Sequence, residues 1–138
     1  MPPQAKAILC LCHDTTTLQV RKLLLEHFGY KVLATDSVGD AKQLAAERCP
    51  DLLLMDNGYP AMDYEEVAAQ IKLVCPAVLA VVLSPYFATR PGGEGQVDRF
   101  ISDDESPEFL AAQIQELLGE RQLSEGGTEG QLTGNRAS

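Results

Sequence analysis

Reactive side chains stand directly after several short apolar runs of this sequence. The first run ends on Cys12-His13-Asp14, and a Leu-rich run in the middle of the chain ends on Asp56. A carboxylate can act as a nucleophile or bind a hard cation such as Mg²⁺, whereas a thiol and an imidazole suit softer metals. The same pattern recurs after the other runs, which end on Asp36, Ser84, Ser102, Asp103 and Asp104.

The apolar runs predict the strands that position these side chains. Residues 7–12, 52–55 and 78–83 are continuously apolar, as is typical of strands covered on both faces of a parallel sheet. Residues 31–35 and 99–102 are weaker strands, as expected toward the sheet edges. Because parallel strands end at one edge of a sheet, we expect the polar residues to gather there.

Helical patterns fill most of the gaps between the strands. Gly29 is a natural stop for the first helix, and Ser37 and Ser106 are N-cap candidates. The alternation predicts an α/β fold, a doubly wound five-stranded parallel sheet with helices on both faces. The apolar stripes are Val20, Leu24, Leu25 and Phe28; Val38, Ala41, Leu44 and Ala45; Val67, Ile71 and Val74; and Leu110, Ile114, Leu117 and Leu118.

Two segments depart from this alternation. Residues 85–98, between the last two strands, are rich in proline and glycine, so we expect the fourth crossover helix to be degraded or absent. Residues 119–138 hold five of the 11 glycines and show no apolar periodicity. We therefore place one domain at residues 5–118 and a disordered Gly-rich tail at residues 119–138.

Composition excludes several classes of partner. The net charge is −9, with 11 Lys+Arg against 20 Asp+Glu, which argues against a basic face for nucleic acid or for an anionic membrane. No apolar run reaches the ~20 residues that a bilayer needs, and none reads as a signal peptide. These features favour the cytoplasm and leave the oligomeric state open.

The four cysteines fit a reducing compartment. No Cys-x-x-Cys spacing suggests a metal site, and reduced thiols are the cytosolic norm. Cys49 and Cys75 each precede a proline at the entrance of a predicted strand, at the sheet end opposite Cys12. We therefore expect four reduced cysteines.

The segment from Pro50 to Asp63 resembles the strand-plus-loop signature of the receiver domain of bacterial response regulators, the CheY-like family. Gly29-Tyr30, Ser84 and Ser106-Pro107-Glu108 fall at matching places. The resemblance spans about residues 5–118 and implies the strand order 2-1-3-4-5. It identifies Asp56 as the phosphoacceptor and Ser84 and Phe100 as the switch residues of that family.

The resemblance fails where the family binds its cation and its phosphoryl group. The acidic pair that holds Mg²⁺ in the family falls on Cys12 and His13, and the lysine that contacts the phosphoryl group falls on Asp103. Asp14 stays as one oxygen ligand that could join Asp56. Because thiol and imidazole suit Mg²⁺ poorly, we expect weakened Mg²⁺ binding and impaired phosphorylation of Asp56.

The sequence therefore predicts an atypical receiver, or pseudo-receiver, of two-component (phosphorelay) signalling rather than an enzyme. Its expected partner is a protein, either a histidine kinase or a downstream signalling protein. Two alternatives stay open. Cys12, His13 and Asp14 could form a metal- or thiol-based sensor or enzyme on a flavodoxin-like fold, or Asp14, Asp56 and Asp103 could hold a cation constitutively.

Overall fold

A computed structural model of the chain describes residues 6–56, 63–84, 89–93, 95–102 and 105–130. Its described residues form one sheet in the order β2-β1-β3-β4-β6-β5. All neighbouring strands pair in parallel except β5 and β6, which are antiparallel. The strands are β1 Ala7–Leu11, β2 Lys31–Thr35, β3 Leu52–Asp56, β4 Leu79–Ser84, β5 Arg90–Pro91 and β6 Arg99–Ser102.

Four helices flank this sheet within the described residues. The doubly wound α/β fold and its order of five parallel strands, 2-1-3-4 followed by the last strand, are confirmed. The two-residue strand β5 was not predicted and extends the sheet at its edge. The helices are α1 Thr15–His27, α2 Val38–Arg48, α3 Tyr64–Val74 and α4 Pro107–Gly130.

The strands bury alternate side chains on opposite faces, which explains their continuous apolar character. Ile8 and Cys10 of β1 join a core shared with α1 and α4. Leu9 and Leu11 of the same strand join the core beneath α2 and α3. Because side chains alternate across a strand, a sheet covered on both faces needs apolar residues at every position.

The helix boundaries follow the predicted stop and N-cap residues. Gly29 takes a left-handed φ of 99° just after α1, a conformation that favours glycine. Ser37 accepts a hydrogen bond from the Asp40 backbone N–H, and Ser106 accepts one from Phe109. Both serines therefore satisfy an amide that the first helical turn leaves free.

The apolar stripe predicted for α1 is confirmed at Leu24 and Leu25, which contact the core, and is wrong at Val20 and Phe28. Val20 is 62% exposed and Phe28 is 38% exposed, whereas Leu18 and Leu25 are buried against the sheet. The stripe that faces the sheet has a spacing of seven residues, and Arg21 stands between its two leucines. On α3, Val74 is likewise exposed, and Val67, Ala68 and Ile71 form the buried face.

The last helix keeps its predicted face and runs further than expected. The predicted stripe residues Leu110, Ile114, Leu117 and Leu118 are all buried. The helix continues to Gly130, although the sequence predicts a disordered tail from residue 119. Residues 131–138 lie outside the described residues, and the domain boundary at residue 118 stays a prediction.

The crossover between β4 and β6 contains no helix in its described parts, residues 89–93 and 95–98. Polar side chains of α3 fix it instead. Glu65 accepts hydrogen bonds from the backbone N–H groups of Gln96 and Val97 at 2.5 and 3.2 Å. Lys72 donates to the Gln96 carbonyl and to the Asp98 carboxylate at 2.7 and 2.9 Å. These contacts satisfy backbone groups that a helix would have paired internally.

The expectation of four reduced cysteines was wrong, because Cys49 and Cys75 form a disulfide with a Cα–Cα distance of 5.4 Å. Both residues precede neighbouring parallel strands, β3 and β4, at the amino end of the sheet. Parallel pairing therefore brings them together, which compartment chemistry alone does not reveal. Cys10 and Cys12 are the free cysteines.

No helix in the described ranges is both long and apolar enough to cross a membrane.

The disulfide should stabilise the domain. It joins residues separated by 26 positions, so reducing it should lower the free energy of unfolding by about 3 kcal/mol through the entropy of the unfolded chain. Urea denaturation with and without dithiothreitol measures this difference. The Cys49→Ala/Cys75→Ala variant should have the same free energy of unfolding as the reduced wild type. Dithiothreitol should not change that value. Equal midpoints for oxidised and reduced wild type would contradict the expectation.

A second prediction concerns the glycines of the crossover. A Cβ added at Gly92 would overlap the Val97 carbonyl oxygen, whereas one at Gly93 meets nothing within 4 Å. Gly92→Ala should therefore destabilise the fold by about 1–3 kcal/mol through overpacking. Gly93→Ala is the matched control and should stay within about 0.5 kcal/mol of wild type. Equal unfolding midpoints for the two variants in urea would count against this packing.

Candidate functional site

Asp56 ends the central strand β3 at the carboxyl edge of the sheet. The four residues before it are buried, and its own side chain is 15% exposed. Tyr64, the first residue of α3, lies nearby: burial and then the negative charge of Asp56 raise the pKa of its phenol. The fold thus presents one carboxylate at the rim of a dry core, where an unpaired charge is costly.

Arg21 supplies the charge that this carboxylate needs. Its Nη1 donates to Asp56 Oδ2 in an ion pair, and both side chains are 15% exposed. Arg21 was not predicted as a site residue, although a helix of 3.6 residues per turn places it within the predicted apolar face of α1. Its position three residues after Leu18 and four before Leu25 places a charge inside the buried stripe, and that was the available signal.

The predicted degenerate acidic pocket is divided between the interior and the surface. Cys12 is buried, with its thiol 3.5 Å from the Asp14 carbonyl oxygen, to which it donates. His13 is exposed. Asp14 is also exposed, and Thr17 donates to its carboxylate at 2.5 Å, which lowers the pKa of Asp14. Asp103 lies outside the described residues.

The free thiols are not activated. Burial raises the pKa of Cys10 to about 12 and also raises the pKa of Cys12. A thiolate is the form that binds soft metals and attacks electrophiles, so both shifts oppose that chemistry. Within the described residues, no group of three or more His, Cys, Asp and Glu side chains could hold a metal ion. The geometry thus favours neither the thiol nor the metal alternative.

With Arg21 paired to it, Asp56 does not offer Mg²⁺ a fitting set of ligands among the described residues. This cation requires hard oxygen ligands in a near-octahedral arrangement. Here a buried thiol and an exposed imidazole occupy the positions expected for its carboxylates, and Arg21 holds one oxygen of Asp56. A guanidinium and a divalent cation repel each other, so Arg21 and Mg²⁺ would compete for this carboxylate.

The two predicted switch residues lie on neighbouring strands. Ser84 ends β4, is fully buried, and pairs in register with Ser102 of β6. Phe100 of β6 packs against the core beneath α2 and α3. The Arg90 guanidinium covers its ring at 4.2 Å from the centroid. This cation–π contact comes from the unpredicted strand β5, so the crossover that replaces a helix also covers the aromatic side chain.

A groove of about 330 Å³ opens beside the ion pair, between α1 and the start of α4. Arg21 forms part of its wall, and Leu83, from the strand that carries Ser84, also lines it. The hydroxyl-bearing residues of the groove are Thr16, Thr17, Ser102 and Ser106. The groove therefore exposes the Arg21 side of the ion pair between these two helices.

Comparison with known proteins identifies the fold. No protein-family model and no curated protein sequence matches the chain. The chain is similar to a solved CheY-like response regulator receiver domain protein from Methanospirillum hungatei, with 23% identity over 87% of this chain and 98% of that one and a TM-score of 0.74. A receiver domain protein from Clostridium thermocellum is 22% identical over 86% and 98%, with a TM-score of 0.71.

A third solved structure supports the same conclusion. The signal receiver domain of an HD domain-containing protein from Pseudomonas fluorescens is 21% identical over 91% of this chain and 96% of that chain, with a TM-score of 0.74. The chain therefore has the receiver fold, as the sequence resemblance implies. No helix fills the described part of its fourth crossover.

The burial of the thiols leads to a testable expectation. Under non-reducing conditions, iodoacetamide at pH 8 should label Cys10 and Cys12 at least roughly tenfold more slowly in the folded protein than in urea, because burial suppresses the thiolate. Mass spectrometry counts the labels. The urea-unfolded chain is the control and should take up two. Rapid labelling of folded Cys12 would favour the thiol-based alternative instead.

Proposed function

We propose that this chain is a receiver module of phosphorelay signal transduction that acts through protein–protein interaction. The observation that carries the proposal is the position of Asp56, at the carboxyl end of the central strand of a receiver fold. Ligand sites of open α/β sheets lie at this edge. Asp56 is the phosphoacceptor-type carboxylate, and its partner is a histidine kinase or a downstream signalling protein.

Phosphorylation of Asp56 is slow in this proposal. When a carboxylate attacks phosphorus, negative charge accumulates in the transition state. Cations must neutralise this charge around the transferred group. The donor set does not fit Mg²⁺, and the sequence has Asp103 where the receiver family has a lysine. Arg21 is already paired with the attacking carboxylate. Part of its positive charge is therefore balanced by Asp56 and does not neutralise the transferred phosphoryl group.

The output of the module is a surface that a protein partner recognises. Ser84 and Phe100 stand at the switch positions of the receiver family, and Arg90 covers the Phe100 ring. Movement of that ring must break a cation–π contact, which favours one arrangement of the edge formed by β5 and β6. An acidic chain with a net charge of −9 does not suit nucleic acid. We place the module in the cytoplasm, where the Cys49–Cys75 disulfide is an exception to the reduced thiols usual in that compartment.

The proposal is tested by phosphoryl transfer from acetyl phosphate, followed as the mass increase of the intact protein. We expect slow uptake that Asp56→Asn abolishes and that Asp36→Asn, the matched loss of a carboxylate at the same predicted edge, leaves intact. Asp103→Lys should accelerate uptake by roughly 100-fold, because one cation placed for the transferring group has about that effect.

Two results would contradict this function. Uptake that persists in Asp56→Asn would move the phosphoacceptor elsewhere. No uptake by wild type or by Asp103→Lys would remove phosphoryl transfer from the proposal. Affinity capture with purified histidine kinases tests the interaction directly, with wild type and Asp56→Asn compared as baits.

A further inference from the structure

The Arg21–Asp56 pair differs from the other ion pairs among the described residues. Both of its side chains are 15% exposed, whereas the Lys22–Glu26 pair is 35% and 39% exposed. In the other two pairs, at least one side chain is more than 30% exposed. Water screens a shielded ion pair less than a surface pair. The Coulomb attraction between its two charges is therefore stronger.

The helix holds Arg21 in this position. Leu18 and Leu25 flank it on the same face of α1 and are buried against the sheet. The stem of Arg21 thus runs between two anchored side chains, and its guanidinium reaches Asp56 at the strand end. Loss of the pair would leave both charges largely enclosed, so the packing of α1 favours its persistence.

The described groups around the pair give Asp56 no second strong counter-ion. The Asp14 carboxylate is engaged by Thr17, the Cys12 thiol is buried and neutral, and His13 is exposed. Among the described residues, the cation in contact with Asp56 is Arg21. The charge that a metal would bring to this carboxylate is supplied by a side chain of the protein.

We propose that Arg21 takes the place of a divalent cation at Asp56, so that the site is a permanently neutralised ion pair that needs no metal. The inference rests on the proposed role of Asp56 as the phosphoacceptor-type carboxylate and adds how that carboxylate is regulated. Arg21 is a positioning residue, since it holds the carboxylate and closes one of its oxygens to Mg²⁺. The resting state of the module is therefore independent of Mg²⁺.

Substitutions of the two partners test the pair. Arg21→Met keeps the stem and removes the charge, and Asp56→Asn removes the charge of the other partner. We expect each to lower the folding equilibrium constant at least about tenfold, since each leaves an enclosed charge unpaired. In the double variant, the fold-decrease of the folding equilibrium constant should be smaller than the product of the two single fold-decreases. Lys22→Met is the matched control one residue away, in an exposed pair, and should change little.

The response to Mg²⁺ distinguishes a cation substitute from a merely structural contact. Unfolding midpoints are compared in MgCl₂ and in EDTA with NaCl at equal ionic strength. Wild type should not respond. Arg21→Met should be stabilised by Mg²⁺, which binds proteins through one or two carboxylates and otherwise keeps its water, and the Arg21→Met/Asp56→Asn variant should not. Arg21→Lys, which retains the charge, should restore insensitivity to Mg²⁺.

Three outcomes would overturn the proposal: additive effects of the two single substitutions, stabilisation of wild type by Mg²⁺ as large as that of Arg21→Met, or no response of Arg21→Met to Mg²⁺. If Arg21→Met does not fold, calorimetric titration of wild type and Arg21→Lys with Mg²⁺ decides, because saturable binding to either contradicts the substitution. No phosphoryl donor or partner protein is used. Failure here therefore leaves the proposed receiver function standing, and failure of that function leaves these measurements interpretable.

Discussion

Asp56 ends a strand whose four preceding residues are buried, and a charge at such a position requires a counter-ion. This requirement links the parts of the structure that meet at the carboxyl edge of the sheet. The central strand fixes the carboxylate, α1 brings Arg21 to it, and Leu18 and Leu25 hold that helix against the sheet. The pair therefore joins the packing of α1 to the chemistry of the site.

The same carboxylate explains why the surrounding substitutions are tolerated. A buried Cys12 thiol and an exposed His13 are poor ligands for Mg²⁺, but an ion pair that is already balanced does not need them as ligands. Once an arginine neutralises Asp56, no further acidic residues are needed to hold a metal there. The departures from the receiver pattern and the Arg21 pair are thus physically consistent with each other.

The two ends of the sheet are stabilised by different means. At the amino end, the Cys49–Cys75 disulfide joins the entrances of β3 and β4. At the carboxyl end, the noncovalent Arg21–Asp56 pair holds the site, and Arg21 also lines the groove between α1 and α4. Along the edge, Glu65 and Lys72 fix a crossover without a helix in its described residues, and that crossover places Arg90 over Phe100.

The sequence by itself determined the layers and the position of the central carboxylate, and its resemblance to the receiver family implied the strand order. Continuous apolar runs, Gly29 and the serine N-caps are local signals. They can be interpreted from neighbouring residues without knowledge of the tertiary contacts. The stripe predicted for α1 was wrong at Val20 and Phe28, which are apolar but exposed. Only docking of the helix decides that Leu18, Arg21 and Leu25 face the sheet.

Contacts between residues distant in sequence were decided by the tertiary structure alone. Arg21 and Asp56 lie 35 residues apart, and Cys49 and Cys75 lie 26 apart. Periodicity can place each residue at an end or on a face of its own element, but it contains no information about the rotation of one element against another. That rotation depends on side-chain packing in the core, and it paired Asp56, one of the polar residues expected at the strand ends, with Arg21.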